Sequence, residues 1–171
     1  FIGARHGVAV CNGTAALETG LFALGIEGGE VIMPTFTIIS CAWAALRVGA
    51  KPVLVDIEPE TWTMDVGQLE KKINSRTSAI MPVHMYGHPV DMDPLLALAD
   101  KHGIPVLEDA CEIHGGSYKG RKAGTLGKAS AFSFYANKII TTGEGGMVLT
   151  DDDLVAERAR SYRNLSFIPG K

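Results

Sequence analysis

The chain has 171 residues, a length close to that of one average domain. Its hydrophobic fraction of 46% and charged fraction of 20% are typical of a folded globular chain and exclude disorder and collagen-like repeats. The net charge of −3 gives no electrostatic sign of nucleic-acid binding. No run of about eighteen apolar residues predicts a membrane-spanning helix.

The three cysteines, Cys11, Cys41 and Cys111, lie far apart and form no CxxC pair. Such a sparse, odd set favours free thiols in a reducing cytoplasm over a secreted disulfide framework. The chain begins with Phe1, carries no charged-then-apolar leader and stops at Lys171 without a closing element. We therefore interpret it as an internal segment of a longer cytoplasmic protein.

Short apolar runs alternate with helical patterns along the chain. In chain order the predicted elements are strand 7–11, helix 14–24, strand 31–33, helix 38–48, strand 52–56, helix 65–73, strand 78–83, helix 94–102, strand 105–108, strand 130–134, strand 146–150 and helix 154–162. Asp93 and Pro94 are expected to start the fourth helix and Gly103 to end it. Lys119 and Gly120 predict a hairpin turn.

This alternation predicts an α/β fold of three αβα layers around a seven-stranded, mostly parallel sheet. Residues 115–146 show no clear helical pattern that could serve as a parallel crossover. The last strands are therefore expected to include an antiparallel member. Ligands of such sheets bind at the carboxyl ends of the strands, so polar residues at those ends are the first candidates for a site.

Three strand ends carry such residues. The first is followed by Gly13 and Thr14, where a turn opens a helix whose free N–H groups suit a phosphate. Taken alone, this pattern is more often a simple helix cap. The second is followed by Glu108 and Asp109, which place a carboxylate at the strand mouth; alone, such a pair is more often a solvated turn.

A third strand end precedes Lys138, which lies among apolar and small residues before a glycine-rich turn. Most lysines are exposed, but burial among apolar neighbours would favour a neutral, nucleophilic amine. A phosphate turn, a carboxylate and a lysine, in that order, match what pyridoxal 5′-phosphate requires of a protein. The combination points to this cofactor, although each element alone does not.

Other motifs fit less well. The glycines at 143, 145 and 146 precede a strand and lack the spacing of a dinucleotide-binding loop. His84 and His88 are four apart, but Gly87 and Pro89 argue against a helix that presents both to one metal, so no metal site is expected. Three large side chains are predicted to be core: Phe22, Met33 and Trp43.

Four segments resemble a known family: 10–17 (VCNGTAAL), 82–94 (PVHMYGHPVDMDP), 106–115 (VLEDACEIHG) and 132–146 (FSFYANKIITTGEGG). They are similar to the sugar-nucleotide aminotransferases of the DegT/DnrJ/StrS type, which belong to the fold-type-I superfamily of pyridoxal-phosphate enzymes. The resemblance extends over essentially the whole chain. Residues 53–64 and 163–169 resemble the GDP-perosamine synthase branch of the family most closely.

The resemblance implies roles for individual residues. Lys138 would attach the cofactor through an imine and later move a proton between substrate and cofactor. Asp109 would pair with the pyridine nitrogen, and Glu112 would lie near the phenolic oxygen of the ring. The phosphate would lie on the helix start and one serine, with Gly13, Thr14, Ala15 and Ser133 as its binding residues.

Three further positions are less determined. His84 and Tyr86 are candidates for substrate contact, but a purely structural role in their loop is an equal alternative. Ile38 stands where relatives often place an aromatic ring that stacks on the cofactor, so either it packs on the ring or another residue does. The presence of Lys138 argues against the dehydrating branch of the family, which has histidine there.

The resemblance implies transamination of a nucleotide-linked 4-keto-6-deoxy sugar, with glutamate as the expected amino donor. Residues 1–171 would be an incomplete large, cofactor-binding domain, with the C-terminal small domain lying outside the chain. A homodimer is expected, and neither a membrane nor nucleic acid is expected as a partner. The alternatives are a non-catalytic sensing domain that keeps the fold and a dinucleotide-binding oxidoreductase domain.

Overall fold

The computed structural model describes residues 1–166 of the chain. Its strands are β1 (His6–Val10), β2 (Glu30–Pro34), β3 (Lys51–Val55), β4 (Thr77–Ile80), β5 (Leu107–Asp109), β6 (Ser117–Tyr118), β7 (Arg121–Lys122), β8 (Ala129–Ser133) and β9 (Gly146–Thr150). Its α-helices are α1 (Gly13–Ala23), α2 (Ser40–Arg47), α3 (Val66–Leu69), α4 (Met92–His102) and α5 (Asp153–Arg163). Two 3₁₀ turns, Glu70–Lys72 and Met85–Gly87, complete the described elements.

The strands form three sheets, in the orders β1-β9-β8-β5, β3-β2-β4 and β6-β7. The β2–β3, β2–β4 and β5–β8 pairs are parallel, whereas β9 runs antiparallel to both β1 and β8. Isolated parallel bridges from Ile80 to Val106 and from Val83 to Asp109 link the two larger sheets. The α/β class and the late antiparallel strand are confirmed, but one continuous seven-stranded sheet is not.

Helices lie on both faces of these strands. Successive residues of β2 point to opposite faces, so Val31 and Met33 enter one core cluster and Ile32 the other. The first cluster holds apolar side chains of α1, α2 and α5, and the second holds those of α4. The strand ends are therefore held between two helical layers, which keeps the turns that follow them in fixed positions.

Helix α4 begins earlier than predicted. It starts at Met92 with Asp91 at the N-cap, not at Asp93. Asp93 lies in the first turn, where its carboxylate contacts Lys119 Nζ at 2.6 Å and Arg121 Nη2 at 3.0 Å. The helix ends before Gly103, as predicted.

The predicted turn at Lys119 and Gly120 joins β6 to β7. Both residues have positive φ, 48° and 81°, as a two-residue hairpin of this kind requires. The two strands have only two residues each, too few to give an alternating pattern in the sequence. The turn was therefore predictable from the sequence and its strands were not.

The predicted core residues have different surroundings. Met33 is fully buried, and Phe22 is half-buried, with its ring stacked on Tyr162 at 4.1 Å between centroids. Trp43 is 54% exposed, so its prediction as a core residue was wrong. The short helix α2 buries Cys41, Ala44 and Ala45, and Trp43 lies on another side of it. Within residues 1–166, no helix is both long and apolar enough to span a bilayer.

Candidate active site

A cavity of about 360 Å³ lies at the carboxyl ends of β5 and β8 and at the start of α1. Six of the predicted site residues line it: Gly13, Thr14, Asp109, Glu112, Ser133 and Lys138. Ala15, His84 and Tyr86 do not. The fold thus brings together residues that are up to 125 positions apart, from Gly13 to Lys138.

The turn before α1 lies very close to its neighbours. A Cβ atom on Gly13 would lie 2.7 Å from Ser133 Cβ and 3.2 Å from Cys111 Sγ. A Cβ atom on Gly146 would lie 2.1 Å from the carbonyl oxygen of Asn12. Glycine at 13 and at 146 therefore allows the helix start to lie directly against the end of β8 and the start of β9.

This helix start can hold an anion. Gly13 and Thr14 occupy the first helical positions, where N–H groups have no partner within the helix. The Thr14 hydroxyl donates to Ser40 Oγ at 2.8 Å, and Ser40 also lines the cavity. Nothing in the sequence singled out Ser40, because it follows a different strand and reaches Thr14 only in the folded chain.

The predicted role of Ala15 is not supported by its position. Its N–H donates to the Asn12 side chain, Oδ1, at 2.9 Å and so serves to cap α1. The groups that remain to bind a phosphate are those of Gly13 and Thr14 and, on the cavity wall next to Gly13, that of Ser133.

Asp109 ends β5 and is 6% exposed. Its Oδ1 accepts the Cys111 N–H and its Oδ2 accepts the Cys41 thiol, both at 3.1 Å. This is not the solvated turn carboxylate that the sequence left open as an alternative. It is a buried acid, oriented by donors from two elements, at the wall of the cavity.

Lys138 lies on the loop that leaves β8 at Ser133 and returns at Gly146, two residues that pair in the sheet. Its side chain is 12% exposed, and Nζ lies 3.0 Å from Glu112 Oε1. The amine therefore points into the protein and not into bulk solvent. The sequence predicted apolar neighbours for this amine but did not predict a carboxylate partner.

His84 lies outside the cavity, contrary to its candidate role as a substrate contact. It is completely buried, with Nε2 3.0 Å from Glu108 Oε2 and Nδ1 accepting the Val90 N–H at 3.2 Å. Its tautomer is thereby fixed, with the proton on Nε2. The structural alternative for His84 fits this environment.

Glu108 is the buried partner of His84 and faces away from the cavity. Burial by itself would raise the pKa of Glu108, but bonds from His84 and from the N–H groups of Gly127 and Gly124 keep that pKa below its usual value. The pair ties the segment before α4 to the loop before β8. Its role is to hold the backbone around the site.

Tyr86 lies near the cavity without lining it. Its side chain is 70% exposed, and its N–H donates to Glu112 Oε2 at 3.0 Å, so Glu112 connects Tyr86 to Lys138. The ring contacts Phe36 and Trp62, with centroids 6.2 Å and 6.4 Å away. We call these three residues the aromatic trio. Tyr86 and Trp62 both have positive φ, 50° and 61°, an uncommon conformation for large side chains.

Ile38 lines the cavity and is half exposed. This position is compatible with packing against a bound ring, the first of the two alternatives that the sequence left open. Three further apolar side chains that line the cavity, Leu17, Val83 and Met85, were not predicted as site residues. Within residues 1–166, no group of three or more His, Cys, Asp and Glu side chains is placed to hold a metal ion.

The residues present fit pyridoxal 5′-phosphate. The cavity volume falls within the range of about 300–1,000 Å³ that is common for cofactor sites. An anion cradle, a buried carboxylate and a lysine lie on its wall, where that cofactor needs a phosphate site, a partner for its ring nitrogen and an amine. The fold and the site together define an α/β domain of the pyridoxal-phosphate-dependent class.

Comparison with known proteins identifies the family. A model of the DegT/DnrJ/EryC1/StrS aminotransferase family matches residues 1–170, and the chain belongs to this family. It is 48% identical, over all of its length and 46% of the relative, to a GDP-perosamine synthase of Caulobacter vibrioides. The chain spans about half the length of the curated relatives it matches.

Solved structures agree with this assignment. The crystal structure of S. venezuelae DesV with a ketimine intermediate has a TM-score of 0.94 and 43% identity, covering 99% of this chain and 46% of DesV. NtdA from Bacillus subtilis with bound cofactor PMP has a TM-score of 0.87 and 33% identity, covering 94% of this chain and 37% of NtdA. The similarity to GDP-perosamine synthase agrees with the branch predicted from residues 53–64 and 163–169. Of the second segment, residues 167–169 lie outside the described part of the chain.

Proposed function

We propose that this chain is the cofactor-binding domain of a pyridoxal-phosphate-dependent aminotransferase that acts on a nucleotide-linked sugar. The observation that carries the proposal is that Lys138, Asp109 and the helix start at Gly13 line one cavity. Family membership and the identity to a GDP-perosamine synthase support the same reaction class. The substrate class in this proposal is a nucleotide-linked 4-keto-6-deoxy sugar, with glutamate as amino donor.

The cofactor, when bound, supplies an electron sink for the carbon that exchanges its proton. The work of the chain is to orient the cofactor and to move that proton. Asp109 would keep the ring nitrogen protonated, because a buried carboxylate stabilises a positively charged partner. Thr14 and Ser133 would bind the phosphate, next to the N–H groups at the start of α1.

Lys138 is the proposed catalytic residue, and Glu112 is its immediate partner. The neutral amine is the nucleophile. The Lys138 ammonium must therefore lose a proton before its nitrogen could attack the cofactor carbonyl. Glu112 Oε1, 3.0 Å from Nζ, is positioned to accept this proton. We assign this role to Glu112 in place of the contact to the phenolic oxygen that the resemblance implies.

The aromatic trio, which includes Tyr86, would contact the substrate beside the cavity. Tyr86 is exposed, and its backbone is linked through Glu112 to the reactive amine. A sugar ring presents an apolar face that packs well on aromatic side chains. We assign no substrate contact to His84, because it is completely buried.

The larger assembly is also part of the proposal. The four-stranded and three-stranded sheets, linked at Ile80–Val106 and Val83–Asp109, would act as one seven-stranded platform. Residues 1–171 would form most of the large domain, with a small domain outside the chain. The whole enzyme would be a cytoplasmic homodimer.

Reductive trapping tests the site. The intact protein is incubated with pyridoxal 5′-phosphate, its visible spectrum is recorded, and borohydride then fixes any imine for peptide mapping. The label is expected on Lys138, and Lys138→Arg should abolish both the visible band and the label. A label on another lysine would refute the assignment.

The half-reaction with glutamate separates an enzyme from a sensing domain. Glutamate should convert the visible spectrum to that of the aminated cofactor, and a nucleotide-linked keto-sugar should reverse the change. Binding of the cofactor without any response to amino acids would support the non-catalytic alternative. A panel of nucleotide-linked keto-sugars then identifies the preferred acceptor.

A further inference from the structure

The Asp109 carboxylate is held on both oxygens, but the two donors differ in kind. Oδ1 accepts the N–H of Cys111, a backbone donor two residues away that most residue types at this position would supply. Oδ2 accepts the thiol of Cys41, a side chain from the first turn of α2 and 68 positions away in the sequence. Only the second bond depends on the identity of a side chain.

The geometry around Cys41 fixes the direction of this bond. The residue is completely buried, and its sulfur lies between Asp109 Oδ2 at 3.1 Å and Thr37 Oγ1 at 3.2 Å. Burial and the negative charge of Asp109 raise the pKa of the Cys41 thiol well above its usual value. The sulfur therefore keeps its proton and donates it to the carboxylate, since a thiolate would place two negative charges side by side.

This arrangement connects α2 with the carboxylate on the cavity wall. Thr37 lines the cavity, and Cys41 stands behind Asp109, away from the cavity wall. With one donor on each oxygen, the carboxylate cannot rotate without losing a hydrogen bond in a buried place, which is costly. The thiol is a weak donor, so the carboxylate keeps most of its capacity to bind a positively charged partner.

We infer that Cys41 is a positioning residue, whose thiol orients Asp109 toward the ring nitrogen of the bound cofactor. The inference rests on the proposed function, because it assumes that Asp109 binds this ring. Cys41 itself touches neither cofactor nor substrate. Its effect reaches the cofactor only through the direction and basicity of the Asp109 carboxylate.

The first test needs no cofactor. The S–H stretch of a thiol that donates to a carboxylate lies at lower infrared frequency than that of a solvated thiol. The difference spectrum between wild type and Cys41→Ala isolates the band of Cys41, and that between wild type and Cys11→Ser isolates the band of the exposed Cys11. A Cys41 band at the frequency of the Cys11 band would overturn the inference.

The second test uses the holoenzyme, with three variants. Cys41→Ala removes the donor, Cys41→Ser keeps one, and Cys11→Ser changes an exposed thiol that does not touch Asp109. We expect Cys41→Ala to weaken cofactor binding roughly fivefold, the value of one average hydrogen bond. It should also shift the midpoint of the pH titration of the visible band, and the two serine variants should stay near wild type.

The outcomes separate this inference from the proposed function. If wild type binds the cofactor at Lys138 and Cys41→Ala has an unchanged affinity and titration midpoint, the role of Cys41 is refuted alone. If wild type shows no visible band at all, the proposed function fails and the positioning role fails with it. Should Cys41→Ala not fold, Cys41→Val fills the space without a donor and is read in the same way.

Discussion

Glu112 and Lys138 form an ion pair within the cavity, with Oε1 3.0 Å from Nζ. The second carboxylate oxygen of Glu112 accepts the N–H of Tyr86 at 3.0 Å. One side chain thus links the Lys138 amine to the exposed turn beside the cavity. The link connects the residue proposed to bind the cofactor with the residue proposed to meet the substrate.

Glu112→Gln should slow attachment of the cofactor. The amide keeps the size of the side chain but cannot take the proton of the Lys138 ammonium. We expect the visible band to form about 10²-fold more slowly in stopped-flow mixing with pyridoxal 5′-phosphate, within the usual range for loss of a general base. Glu157→Gln, on the exposed side of α5, is the matched control. Equal rates in both variants would rule out this role for Glu112.

Gly13→Ala should damage both the fold and the phosphate site. The new methyl group would lie 2.7 Å from Ser133 Cβ, too close without a shift of the α1 start. We expect a loss of about 1–3 kcal/mol in the free energy of unfolding, as is usual for overpacked sites, and much weaker cofactor binding. Chemical denaturation and a cofactor titration measure the two effects. In the control Gly67→Ala, in the short helix α3, the methyl group would lie 3.1 Å from the Asp65 side chain, which can move, so both effects should be much smaller. Normal cofactor affinity in Gly13→Ala would contradict a phosphate site at this helix start.

Tyr86→Leu should act on the substrate and not on the cofactor. Removal of an aromatic surface that contacts a sugar is expected to cost about 1 kcal/mol, or roughly a fivefold rise in KM. The Glu112 contact is made by the backbone N–H of Tyr86 and survives the substitution, so the cofactor dissociation constant should stay unchanged. Steady-state kinetics with a saturating amino donor would show the rise. An unchanged KM would leave Tyr86 as a structural residue of its turn.

Glu108 should contribute to stability in a pH-dependent way. Its pKa is lowered in the folded state, so its contribution is complete above the unfolded pKa and is lost as the pH falls through the folded value. Glu108→Gln should cost about 3 kcal/mol near neutral pH, because His84 and three N–H donors lose a charged partner. The difference from wild type should shrink in acid. Denaturation curves from neutral to acidic pH test this, with the exposed Glu70→Gln as a control that should show little change.

The three thiols should differ sharply in reactivity. Cys11 is exposed, whereas burial raises the pKa of both Cys41 and Cys111 well above the usual value, and the charge of Asp109 adds to the effect. A thiol reagent should therefore label Cys11 in the folded protein and the other two only after unfolding. Peptide mapping of the labelled protein gives the result directly. Rapid labelling of Cys41 in the native state would contradict its burial beside Asp109.

The sequence predicted those parts of the molecule that depend on local pattern. The helix start at Gly13, the strand end at Asp109 and the loop lysine Lys138 each lie in a motif, and the fold places all three on one cavity. The contacts of Cys41 with Asp109 and of Ser40 with Thr14 join distant segments, so no local pattern contains them. They appear only once the elements are packed.

The differences from expectation have equally physical causes. Of the two roles that the sequence leaves open for His84, its environment fits the structural one, because the buried Glu108 binds it away from the cavity. The predicted single sheet divides because β4 and β5 meet through isolated bridges and not through a regular ladder. Trp43 was predicted to be buried from the apolar spacing of α2, yet this short helix buries only one narrow side.

Because Ser133 and Gly146 are paired neighbours, the loop that carries Lys138 starts and ends at the same position in the sheet. Its base is closed further by the Phe134 N–H bond to the Gly145 carbonyl at 2.8 Å. Substitutions along this loop should therefore alter how the amine is presented while the rest of the domain stays intact. The loop that carries Lys138 and the sheet that supports it can therefore be varied independently. An engineer could change the chemistry of the loop without changing the fold.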